Sequence, residues 1–205
     1  MADIEQLRRR LGAHLAADPP RGAPPPGQTP AAVLVPIVPA PGGCYLLLTR
    51  RTDGLSNHRG EIAFPGGRLE PGETPPAAAL REAHEELGIE PGEVDLIGGL
   101  PAVGTNLSRF WIMPWVGVLP PDCRSRIVPN PAEVADLLEV SLDALAAPGC
   151  RRDQRFIRGR RVVVSPAYDT PAGTIWGATA RIVAELLEAW ETRGDRLRRE
   201  KPAAR

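Results

Sequence analysis

Glu82, Glu85 and Glu86 stand at i, i+3 and i+4 in a segment built to be helical. Thr74 suits an N-cap and Pro75 the first turn, where its missing N–H costs nothing. Ala77 to Leu87 are mostly strong helix formers, and Gly88 is a natural stop. At about 100° per residue the three acids share one arc about 100° wide. Leu80, Ala83 and Leu87 fall opposite, as a core-facing stripe. Like charges at this spacing destabilise a helix by roughly a few tenths of a kcal/mol per pair. A solvated acidic face would tolerate that repulsion. A hard divalent cation would remove it, because Mg²⁺ takes a few carboxylates together with substrate phosphates. Two neighbours favour the cation. Gly66-Gly67 lies just ahead, where backbone can approach a ligand closely. Arg81 beside Glu85, and Glu73 in the preceding loop, are placed to orient the acids.

The stretch from Gly67 to Ile89 resembles the Nudix box, G-x5-E-x7-R-E-U-x-E-E-x-G-U, at every fixed position. Ala83 and Ile89 fill the apolar U positions. The resemblance implies Mg²⁺- or Mn²⁺-dependent hydrolysis of a nucleoside diphosphate linked to another group. It implies metal ligation by Glu82, Glu85 and Glu86 with the Gly66 carbonyl, and orientation of those ligands by Arg81 and Glu73. It implies an α/β/α sandwich with a mixed β-sheet.

The segment upstream, LLTRRTDGLSNHRGEIAFPGG from Leu47 to Gly67, looks like the motif of the coenzyme A pyrophosphatase branch. Leu47, Leu48, Thr49, Arg51, Thr52, Gly60, Phe64, Pro65, Gly66 and Gly67 fit that pattern. Its second arginine falls on Ser56, with Arg59 or Arg50 near enough to replace it. Thr49, Arg51, Phe64 and Gly67 are the expected substrate-binding set. Arginine forks suit phosphate oxygens, and strand alternation sends only one of Arg50 and Arg51 toward the site, which the motif makes Arg51. SRFWIMPWVGVL from Ser108 and IWGATARIVAELL from Ile175 are similar to the same branch, so the likeness spans Ala31 to Trp190. The products implied are 3′,5′-adenosine diphosphate and 4′-phosphopantetheine. ADP-ribose, NADH or a damaged nucleotide is the alternative substrate, and a non-catalytic binding module is a third reading that the intact acids oppose.

The general base is Glu85 itself or an acid from a distant loop, for which Glu133 in NPAEVADL is the candidate. Glu133 reads equally well as a plain strand-end acid. His84 projects away from the acids, next to Leu80, and reads as structural. Phe110, Trp111 and Trp115 read as core.

These residues need a scaffold. Ala31–Pro39 and Cys44–Thr49 read as buried strands joined by a Pro41-Gly42-Gly43 turn. Val94–Gly98 and Ile112–Leu119 read as further strands, with Pro114 suggesting an edge or a bulge in the latter. Leu142–Ala147 is a short helix, 155–157 and 161–164 a hairpin across Gly159, and Thr174–Trp190 a long helix. Ala2–Ala17 reads as an amphipathic helix with Ile4, Leu7, Leu11 and Leu15 in one stripe, packed on its own domain. The expected organisation is a helix and Pro-rich linker over 1–30, the catalytic domain over 31–193, and a charged, frayed tail over 194–205.

The chain has 205 residues and a formal net charge of zero, with 25 basic and 25 acidic side chains. That balance argues against nucleic acid as a partner. Cys44, Cys123 and Cys150 are few and far apart, which fits a reducing cytoplasm and neither disulfides nor zinc. No apolar run reaches about 20 residues, so no membrane span or membrane partner is expected. The expected partner is a small nucleotide substrate, with a homodimer left open.

Overall fold

The axis of the fold is strand β1, Thr29–Ala40. A computed structural model describes residues 4–11, 15, 24–52, 60–105, 109–158 and 161–199. Within it, β1 is buried on both faces, and its alternation sorts two cores. Ala32 and Leu34 point to one side, where they meet Ala79, Ala83 and Leu87. Val33, Val35 and Ile37 point to the other, against Leu7, Leu11, Val183, Leu186 and Trp190. Helix α2, Pro75–Leu87, therefore covers one face. The other carries α1 (Ile4–Leu11), α3 (Leu142–Ala146) and α4 (Gly177–Arg199). The result is an α/β/α sandwich around a mixed sheet. Complete burial of one Leu side chain such as Leu87 contributes roughly 2–3 kcal/mol to that packing.

The central order places β3 (Ile62–Ala63), β2 (Gly43–Arg51), β1, β7 (Phe110–Val118) and β5 (Asp95–Gly99) side by side. Strand β4 (Gly66–Arg68) pairs with β1, β6 (Val103–Gly104) with β7, and β8 (Val134–Ser141) with β2. Strands β1 and β7 run parallel, and the other pairs are antiparallel. A separate three-stranded sheet holds β9 (Arg151–Arg158), β10 (Arg161–Thr170) and β11 (Gly173–Ile175).

Four expectations need adjustment. Pro114 does not mark an edge, since β7 lies between β1 and β5. Its carbonyl accepts from Leu100 N–H, and the missing N–H faces that same side, where β5 has ended and β6 has not begun. Gly173–Ile175 is a strand, so α4 begins at Gly177 rather than Thr174. The same helix continues past Arg193 to Arg199. The hairpin is longer than expected, with Arg151–Tyr168 and Arg158–Arg161 as its terminal pairs. The first helix does pack on its own domain, with Leu7, Leu11 and Leu15 buried in the larger core. Cys44, Cys123 and Cys150 are free thiols. Among the described residues, no helix is long and apolar enough to cross a membrane.

Candidate active site

Helix α2 and strand β4 meet along one line, and the meeting is possible because β4 begins with two glycines. A Cβ on Gly66 would lie inside 3.0 Å of the Ala32 carbonyl and Val33, so β4 could not approach β1. A Cβ on Gly67 would collide with the Glu82 carboxylate. The loop before them is anchored by Phe64, buried in the core, and by the Pro65 carbonyl, which accepts from Leu34 N–H at 2.9 Å. Gly88 stops α2 in the left-handed conformation at φ 67, its N–H donating to the His84 carbonyl at 2.8 Å while Ile89 N–H donates to the Ala83 carbonyl at 3.4 Å. Thr74 occupies the N-cap position without a side-chain cap bond, and Pro at the first helical positions leaves fewer N–H groups to cap.

Arg81 is the hub. Its Nε donates to Glu73 Oε1 at 2.9 Å, and one terminal nitrogen donates to Glu82 Oε1 and Glu85 Oε2, both at 3.0 Å. The other donates to Glu73 Oε2 at 3.1 Å and to the Arg68 carbonyl at 3.0 Å. Glu73 also accepts from Glu70 N–H at 2.9 Å. Its bonds with Arg81 hold its carboxyl below the ordinary range, and the same bonds hold Arg81 firmly cationic.

The three box acids have unlike surroundings. Glu85 is half exposed. Burial pushes the Glu82 carboxyl up, against the opposing pull of Arg81. Glu86 is only 3% exposed and is pushed up to about 7 by burial. Gly66 N–H at 3.4 Å and the Arg51 charge offset this in part, while Glu133 and Glu82 add to it. Glu86 lies about 20° from Ala79 around the helix axis, at the boundary between the acid arc and the buried face, and so slides under the glycine strand.

Glu133 sits close enough for its charge to raise both Glu82 and Glu86. The turn carrying it is tied to the end of α2, through Asn130 N–H to the Glu86 carbonyl at 2.8 Å and Val128 N–H to the Leu87 carbonyl at 2.9 Å. Asn130 was not singled out from sequence, although Asn-Pro-Ala is a recognisable turn; its Oδ1 accepts from Ala132 N–H at 3.1 Å. Arg51 lies on β2, opposite a register shift in the pairing with β8. Its Nε is buried with no hydrogen-bond partner among the described residues, and its charge reaches Glu86. Arg50 points elsewhere and donates to the Ala172 carbonyl at 2.5 Å. Thr49 and Phe64, expected in the substrate-binding set, are both buried. Thr49 Oγ1 donates to the Ala63 carbonyl at 3.3 Å, and Phe64 fills the core, so both brace the glycine strand. Ser56 and Arg59 fall outside the described residues. His84 is half exposed beside Glu90 at 3.3 Å, away from the acids.

Among the described residues, no three His, Cys, Asp or Glu side chains converge as a ready-made metal group. The reason is visible in the bonds above: Arg81 draws Glu82 and Glu85 toward itself, while Glu86 turns under Gly66. The donor set nevertheless fits a hard divalent cation. It is all oxygen, and Glu86 is a buried carboxylate whose one described hydrogen bond, to Gly66 N–H, is long. Such a charge calls for a cation. Replacing Gly67 by alanine is expected to displace the Glu82 carboxylate and lower turnover by about 10- to 100-fold. The fold should hold, since a flexible carboxylate can swing away. Steady-state kinetics beside a thermal melt check this; wild-type turnover would show that Glu82 need not lie against β4.

The family model described as NUDIX domain matches residues 18–159. The chain is 41% identical over 162 residues to the uncharacterized Nudix hydrolase NudL of Escherichia coli O6:H1, covering 76% of this chain and 80% of that one. It is 51% identical over 165 residues to the uncharacterized NudL of Klebsiella pneumoniae subsp. pneumoniae, covering 78% and 81%. Among solved structures it is similar to the Nudix hydrolase RenU from M. smegmatis, with a TM-score of 0.50 and 21% identity over 92% of this chain and 97% of that one. That last likeness is one of fold.

Proposed function

The chain belongs to the Nudix hydrolase family, whose members hydrolyse phosphorus-containing anhydrides, and from that premise we propose that it cleaves the diphosphate of coenzyme A or an acyl-coenzyme A. The products are 3′,5′-adenosine diphosphate and 4′-phosphopantetheine. The observation that carries the substrate reading is Arg51. It occupies the arginine position of the coenzyme A pyrophosphatase-like stretch from Leu47 to Gly67, and its Nε has no hydrogen-bond partner among the described residues. A phosphate oxygen beside Glu86 would supply one.

In this reading Glu82, Glu85, Glu86 and the Gly66 carbonyl hold Mg²⁺ or Mn²⁺. The chemistry such an ion supplies when bound is neutralisation of diphosphate charge and a lowered pKa for the attacking water. Arg81 and Glu73 hold the ligand carboxylates in place. Glu133 or Glu85 takes the proton of the attacking water, and Arg51 orients the phosphate that is attacked. Gly67 leaves the acids room to reach the ligand.

A second reading keeps the reaction and changes the substrate to ADP-ribose, NADH or a damaged nucleotide. Ser56, standing where the branch pattern has arginine, favours it. Product analysis of coenzyme A, ADP-ribose, NADH and nucleoside triphosphates with Mg²⁺ separates the two. Coenzyme A turnover at least about tenfold above the others in kcat/KM supports the first reading. Comparable turnover of all would refute coenzyme A selectivity, and no turnover of any by folded protein would leave a binding module.

A further inference from the structure

The hairpin of β9 and β10 bears apolar side chains that nothing in the described fold covers. Ile157 is 83% exposed, Val162 63% and Val164 54%. Ile157 pairs with Val162 and Arg155 with Val164, so the register sets all four on one face of the arm. Val163, on the other face, is also exposed. The arm becomes buried only near its base, at Ala167 and Tyr168. Clustered exposed aliphatics of this kind mark an interaction surface.

The charge of the same arm is one-sided. Residues 151–164 contain six arginines and one aspartate, in a chain whose total formal charge is zero. Arg152 pairs with Asp169 at 2.7 Å, and Arg151 reaches Asp153 only at 3.8 Å. Arg155 makes no ion pair among the described residues and stands exposed beside the aliphatics. A zero net charge over the whole chain conceals this local excess.

We propose that the β9–β10 arm docks on an anionic lipid surface, its Ile157–Val162–Val164 face entering the headgroup boundary and Arg155 beside them meeting lipid phosphates. The complementarity is twofold. Aliphatic side chains gain by leaving water, and each arginine near an anionic leaflet raises partitioning roughly fivefold. A nucleic acid would use the charge but not the aliphatics, which offer no ring for a base to stack upon. A second copy of the chain is disfavoured by the charge, because antiparallel self-pairing of β9 brings arginines together. The inference is independent of which diphosphate the enzyme cleaves.

The test is flotation of the full chain with phosphatidylcholine vesicles, alone or with about one third phosphatidylglycerol. The protein should float only with the anionic vesicles and be released by salt. Ile157→Ser with Val162→Ser should weaken binding about tenfold or more, and Arg155→Glu should also weaken it, with turnover of soluble substrate unchanged in each. These side chains are exposed, so folding is not at stake, and circular dichroism verifies it. Absence of flotation, equal flotation without phosphatidylglycerol, or full binding by the serine variant would overturn the proposal. So would equal, serine-sensitive binding to polyglutamate, which points to an acidic protein partner. A wild-type dimer that the serine variant dissolves would identify the arm as a self-interface and overturn it as well.

Discussion

Glu86→Gln is expected to abolish hydrolysis while making the metal-free protein more stable above pH 7. The two effects have one cause. Burial raises the Glu86 carboxyl from its ordinary 4.5 to about 7. The unfolded chain releases that proton more readily, so folding is linked to proton uptake. The stability contributed by the protonated group is fully present below about pH 4.5 and is lost as pH rises through about 7. Above that the fold holds a buried, poorly compensated carboxylate, at a cost on the order of 3 kcal/mol. Glutamine keeps the shape, removes the charge and removes the pH dependence. It also removes the one ligand too buried for water to replace, and the loss in kcat should be about 1000-fold or more. Urea unfolding at pH 6 and pH 8 without metal, together with turnover at saturating Mg²⁺, checks both. A variant that loses stability at pH 8, or keeps wild-type turnover, contradicts this account of the site.

Arg81→Lys is expected to lower kcat/KM by about 10- to 100-fold, despite the retained charge. Arg81 makes five hydrogen bonds from its three guanidinium nitrogens, to Glu73, Glu82, Glu85 and the Arg68 carbonyl. An ammonium on a flexible stem cannot reproduce that fork. Without it Glu82 and Glu85 repel each other and Glu73 loses its anchor. The metal-free variant should melt at a lower temperature, and Mg²⁺ should recover part of the difference, because a cation bound only by the folded state stabilises it. Kinetics, a Mg²⁺ titration and melting curves with and without Mg²⁺ read these effects. A lysine variant with wild-type kcat/KM would mean that Arg81 serves charge balance alone.

The helix and its acids were legible because both follow from local rules: periodicity places the carboxylates on one arc, and Gly88 ends the helix at a left-handed turn. The different environments of the acids were not legible. Glu86 borders the buried face by only a small rotation, and whether it is wet or dry depends on β4 crossing above it. That crossing is a tertiary fact set by Gly66, Gly67 and β1. The same limit explains Thr49 and Phe64. A motif records that a residue is needed near a site, without saying whether it faces the ligand or props the loop. Pro114 reads as an edge or a bulge because either one, like the break between β5 and β6 that it faces, spares the same N–H. The basic arm is hidden in the composition because the charge of the whole chain sums to zero.

Coenzyme A hydrolysis in ¹⁸O-labelled water with Mg²⁺, followed by mass spectrometry, shows whether this site cleaves the diphosphate of coenzyme A. The wild-type chain is expected to yield 3′,5′-adenosine diphosphate and 4′-phosphopantetheine, with one labelled oxygen in only one of the two products, and Glu86→Gln almost none. Coenzyme A left intact by folded wild-type protein, or cleaved equally by the glutamine variant, would contradict that expectation.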